Sequence, residues 1–207
     1  MLTPAPERNG QKPPALLGTT LAAAASIWND ALSSCQAPRL LANLEVLAAP
    51  SVRDDLVNTV TLHQFKWCPI SSIQREDCYP SDLQGRTHLY PTLQPGTPRD
   101  GELRGIDIEL NDVDFHWSAQ GEVGDTLSLQ TLLVHELGHV LGLDHPCGPN
   151  TEWSQKKKPL VPCDPSATAQ VMRADIASVT KGEKVAPSKS EIAAVCGLYR
   201  SSNGPSP

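Results

Sequence analysis

Apolar residues recur at three- and four-residue steps from Leu21 through Ala24, Ala25, Trp28, Ala31, Leu32 and Cys35. That spacing lays an apolar stripe along one face of a helix, with Thr19 or Thr20 placed to cap it. Two apolar runs, Leu40 to Leu47 and Val57 to Phe65, read as strands. A further strand pair is expected at Thr87 to Tyr90 and Arg104 to Leu110. In the latter, Ile106, Ile108 and Leu110 alternate with Asp107 and Glu109, which predicts one buried face and one wet face. The intervening stretch from Cys68 to Arg86 reads as turns. The leucine-rich segment Asp125 to Leu141 predicts a mostly buried helix, with Asp125 and Ser128 as candidate caps and Gly142 as its stop. A last helix follows a capping box formed by Ser188 and Glu191, with Ile192, Val195, Cys196 and Tyr199 on one face.

Between these elements the chain is irregular. Its 19 prolines and an aromatic content of only 4% predict long loops, the longest being Pro146 to Gln170. Residues Met1 to Pro14 are polar and proline-rich without a core-facing pattern. The organisation expected is a flexible leader over 1–18, one domain over 19–200 and a disordered tail over 201–207.

Charge and composition narrow the function. A net charge of −6 with no long basic run argues against nucleic-acid binding, and Lys156 to Lys158 reads as a solvated loop. No apolar stretch reaches the ~20 residues of a membrane-spanning helix. The six cysteines, Cys35, Cys68, Cys78, Cys147, Cys163 and Cys196, contain no C-x-x-C pair, so disulfides are favoured over a cysteine zinc site. Cys68 with Cys78 and Cys147 with Cys163 each bracket a turn-rich loop, which leaves Cys35 for Cys196. Six cysteines allow 15 pairings, and two buried free thiols on the outer helices are the alternative for Cys35 and Cys196. Disulfides imply a secreted or extracellular setting, or a periplasmic one.

The chemistry is concentrated in residues 135 to 145, which read HELGHVLGLDH. The four-residue step from His135 to His139 puts two imidazoles on one side of a helix. Gly142 can take positive φ, so the chain can leave the helix sharply and bring His145 back to the same point. Three histidines leave one tetrahedral position of a zinc ion open for water, as a catalytic rather than a structural site requires. Glu136 is placed to accept the water's proton and pass it to the departing amine. His63, His88 and His116 lack ligand spacing and are read as structural or exposed.

This eleven-residue motif resembles the signature of the metzincin metallopeptidases, and Met172 looks like the methionine of their Met-turn. The stretch Arg104 to Trp117 (RGIDIELNDVDFHW), the helix bearing Trp28 and the closing SEIAAVCGLY are similar to bacterial matrixin-like peptidases. The resemblance implies an α+β fold: a twisted mixed sheet, an active-site helix and a backing helix form an upper part to about residue 142. An irregular lower part over 143–200 ends in a C-terminal helix. It also implies one catalytic zinc on His135, His139 and His145 and a peptide or protein substrate aligned along an edge strand; a monomer is expected.

The chain departs from the family pattern in places. Pro146 follows the third histidine, as in serralysins, and the interval from His145 to Met172 is longer than in typical matrixins. Ala174, however, stands where serralysins carry a tyrosine. The absence of a visible propeptide switch and of a strand before the first helix is read as N-terminal truncation. No set matches a second, structural zinc, and Asp107, Asp112 and Asp114 are too scattered to specify calcium. Arg173 is read as facing solvent rather than a substrate pocket. The rival to a secreted endopeptidase is a zinc-binding adhesion or recognition module without proteolysis, against which the retained Glu136 argues.

Overall fold

The computed structural model describes residues 13–42, 52–69, 78–97, 99–120, 126–146, 170–174 and 186–200. Among these the elements run α1 (Pro13–Ala31), β1 (Thr59–His63), β2 (Gly85–Pro91), β3 (Leu103–Asn111), β4 (Trp117–Ser118), β5 (Leu127–Ser128), α2 (Leu129–Val140) and α3 (Lys189–Leu198). The fold is α+β. β3 is central in a three-stranded mixed sheet, parallel to β1 and antiparallel to β2, which forms one edge. The short strands β4 and β5 pair in parallel just before α2.

α1 begins earlier than the apolar stripe suggested. It takes in residues assigned to the leader, and Thr19 and Thr20 lie inside it rather than at its cap. Their hydroxyls donate back to the carbonyls of Ala15 and Leu16 at 2.9 and 2.7 Å. Pro13 opens the helix because a first-turn residue has no intrahelical N–H partner to lose and a proline φ already suits it. The inner face carries Leu17, Leu21, Ala24, Ala25, Trp28 and Leu32 into the core, against Leu129, Leu132, Leu133 and Leu137 of α2 and Ile108 and Leu110 of β3.

The first expected strand is not seen where the chain is described: Leu40 instead brackets the Asn29 amide, with N–H donating to Oδ1 and O accepting from Nδ2, both at 2.9 Å. The remainder of that run, the candidate cap Asp125, the cysteines at 147 and 163, the lysine triplet and the tail lie outside the described residues. Cys35 is bonded to Cys196, tying the end of α1 to α3, and Cys68 is bonded to Cys78.

β3 corrects a second expectation. Its acidic face is not wet: Asp107 and Glu109 are both fully buried. Asp107 accepts from the backbone N–H groups of Thr59 and Arg53 at 3.0 and 2.9 Å and from the Thr59 hydroxyl. Glu109 accepts from Tyr79 Oη at 2.7 Å and meets Nε2 of His63 and of His88 at 2.8 and 2.7 Å. The cover over this face comes from Trp67 and Tyr79, between β1 and β2 in the chain. The two rings pack with centroids 4.7 Å apart, closed by the Cys68–Cys78 bond. Alternation of residue type cannot reveal such a cover. Asp112 and Asp114 have separate partners in Gln64 and Asn111, so the three aspartates do not converge on one point.

Burial alone would raise the Glu109 pKa, but hydrogen bonds from His63, His88 and Tyr79, with the His63 charge, bring it down to about 2. A carboxylate whose folded pKa is depressed contributes stability that is full above its ordinary pKa of 4.5 and is lost as pH falls toward 2. Glu109→Gln should therefore lower the unfolding free energy near neutral pH by about 3 kcal/mol, and most of that difference should vanish at the acid end of the window. Denaturant melts of both proteins at pH 7 and below pH 3 measure it; equal differences at both pH values would contradict it.

Candidate functional site

The leucine-rich helix forms where expected. Ser128 caps α2 by accepting from the Thr131 N–H at 3.1 Å, and Leu129, Leu132, Leu133, Val134 and Leu137 are buried along it. Trp28, fully buried on α1, donates from Nε1 to the Val134 carbonyl at 2.8 Å, fixing α1 and α2 beside the first histidine. The helix ends in a Schellman arrangement: Gly142 N–H donates to His139 O at 2.9 Å and Leu143 N–H to Gly138 O at 3.0 Å. Gly142 has φ +94°, a backbone state that side chains disfavour, and it turns the chain back so that His145 reaches the two histidines of the helix.

The three imidazoles converge through Nε2. The His145 nitrogen lies 3.2 Å from that of His139 and 3.1 Å from that of His135. Nδ1 of His135 faces the Val171 carbonyl at 2.7 Å, and Nδ1 of His139 faces Leu143 O at 2.9 Å. A carbonyl accepts only, so both Nδ1 atoms carry the proton and both Nε2 lone pairs point at the shared centre. Tetrahedral zinc at about 2.0–2.1 Å from each nitrogen would space them about 3.3 Å apart, so the donor set fits that ion. It is the one group of three or more potential ligands that converges in this way among the described residues. Burial, with the charges of His139 and His145, holds His135 well below the usual histidine range, and burial brings His145 down to about 4. Both are neutral at neutral pH, as ligands must be.

Beneath the triad lies Met172, fully buried. Gly138 makes room for it: a Cβ there would collide with Met172 Sδ and stand 3.2 Å from Trp28 Cζ2. The Met172 N–H donates to Glu191 Oε1 at 2.8 Å, while Oε2 of the same carboxylate accepts from Ser188 N–H at 2.7 Å. One carboxylate thus completes the capping box of α3 and holds the turn under the histidines. The S-x-x-E spacing revealed the first role; the second needed the fold.

Glu136 is buried and its carboxylate reaches across to β2, where the Thr87 hydroxyl donates to Oε2 at 2.6 Å. Burial raises its pKa, opposed by the His139 charge and by the Thr87 hydrogen bond. Neither Thr87 nor Gly85, which approaches the same carboxylate, stood out in the sequence, since nothing in a strand pattern tells which residue will face a helix 49 positions away. His63 and His88 are brought together on Glu109, and neither joins the converging group. Arg173 is partly buried beside Met172.

Comparison with known proteins agrees with this geometry. No curated protein and no solved structure matches the chain. The family model for matrixins matches residues 72–181, more than half of the 207 residues and a span that includes β2, β3, all of α2, the three histidines and Met172. The chain therefore belongs to the matrixins, a family of zinc metallopeptidases.

Proposed function

We propose that this chain is a secreted endopeptidase in which His135, His139 and His145 hold one zinc ion and Glu136 is the general base and acid. The observation that carries the reading is the convergence of three Nε2 atoms, 3.1 and 3.2 Å apart, beside a buried carboxylate on the same helix. Zinc bound there supplies Lewis acidity toward a substrate carbonyl and a water molecule.

The protein's own groups do the rest. Val171 O and Leu143 O fix the rings of His135 and His139, and Gly142 delivers His145. Glu136 takes a proton from the attacking water and gives it to the amide nitrogen as the C–N bond breaks, so that water is divided between the new carboxyl and the new amine. β2 is an edge strand next to α2 and can align an extended peptide by backbone pairing. The two disulfides support an oxidising, extracellular setting. Incubating the purified chain with a peptide library and reading the cuts by mass spectrometry tests the activity. Internal cleavage that stops with a metal chelator is expected, and cleavage indifferent to the chelator would refute the reading.

A further inference from the structure

We propose that Thr87 is a positioning residue for Glu136, with Gly85 as the gap that lets it act; this rests on the reading of Glu136 as the base. Gly85 and Thr87 are two residues apart on β2, pairing with Leu110 and Ile108 of β3, so both look from the same face of the strand toward α2. At one position β2 offers a hydroxyl, 2.6 Å from Glu136 Oε2. At the other it offers no side chain, and a Cβ would come within 2.5 Å of Glu136 Oε1 and 3.2 Å of Leu132 Cδ1. One oxygen is therefore tethered while the other is given space.

A carboxylate on a flexible side chain needs such a constraint to work as a base. Glu136 has two rotatable bonds beyond its Cβ, and it is buried on the leucine-rich helix α2 with His139 and His88 near enough to act on its charge. A hydrogen bond to a charged acceptor fixes the rotation of the carboxylate about its last bond and occupies one lone pair of Oε2. The remaining acceptor positions stay free for the water proton. Threonine suits the place because its branched side chain is favoured in a strand and its rotamers are few. The hydroxyl is thus delivered by the edge strand proposed to align the peptide, and β2 couples substrate alignment to the orientation of the base.

The test compares Thr87→Val, which keeps the shape and removes the donor, with Thr87→Ser, which keeps the donor. Thr87→Val should lower kcat about 10- to 100-fold, the worth of one hydrogen bond to a charged group. KM should stay within about twofold and zinc content should be unchanged, because lost orientation affects the transition state more than ground-state binding. Thr87→Ser should recover most of the rate. A Thr87→Val enzyme with wild-type kcat, or a serine variant as slow as the valine one, would overturn the proposal.

A second readout does not depend on activity. Thr87→Val should lower the unfolding midpoint of the wild-type chain by about 3 to 6 °C and that of Glu136→Ala by much less, because only the long 3.5 Å contact of the Thr87 hydroxyl with the Glu136 carbonyl remains there. Equal shifts in both backgrounds would show that Thr87 does not hold Glu136. If the wild-type chain cleaved no peptide, the catalytic reading of Glu136 would fall, and the midpoint comparison would still decide whether the contact exists.

Discussion

Glu136→Ala is expected to leave zinc in place and to remove nearly all peptide hydrolysis. The carboxylate accepts from Thr87 on β2 and is not among the converging ligand atoms, so it is no part of the ligand set. Its loss deprives the attacking water of its proton acceptor and the leaving amine of its donor. General acid–base help of this kind contributes about 10² to 10⁴-fold. Substitution removes a carboxylate whose charged form is disfavoured by burial, which offsets part of the Thr87 hydrogen bond lost with it. Peptide cleavage rates and zinc content, measured on the same preparation, check both halves. A variant that retained zinc and cleaved at the wild-type rate would remove Glu136 from the mechanism. If zinc-loaded wild type and variant alike cleaved nothing across a broad library, a non-proteolytic zinc-binding module would become the better account.

His139→Ala should fail by the opposite route. The ring contributes one of three converging nitrogens, and its other nitrogen is anchored on Leu143 O at the end of α2. Removing it leaves two ligands, so zinc affinity should fall by more than about 100-fold, with activity lost through metal loss. The fold should survive. The core between α1, α2 and β3 does not include the ring, and the Cys35–Cys196 bond still ties the end of α1 to α3. Circular dichroism like that of the wild type, zinc below the detection limit and no cleavage form the expected set. A His139→Ala protein that kept a full equivalent of zinc and its activity would show that the ion sits elsewhere.

The sequence carried the chemistry more fully than the packing. HELGHVLGLDH placed three histidines and a glutamate because its logic is local: a four-residue step on a helix and a glycine at φ +94° that reverses the chain. β1, β2, β3, α2 and α3 were legible from periodicity, as was the capping box at Ser188. Local proline statistics misled at α1, where a proline-rich start became the first turn of a helix. Alternation misled at β3, because whether a polar face is wet depends on what another segment lays over it. Trp67, Tyr79 and a disulfide cover Glu109. Contacts between distant positions were likewise out of reach: Thr87 to Glu136 and Glu191 to Met172 join residues that only the folded sheet and helices bring together.

Titrating zinc into metal-free protein, with peptide cleavage followed at each addition, tests whether the three histidines hold the ion that drives hydrolysis. Three nitrogens converging on one centre predict that activity rises in proportion to added zinc and levels off at about one equivalent per chain. Full cleavage before any zinc is added would contradict it.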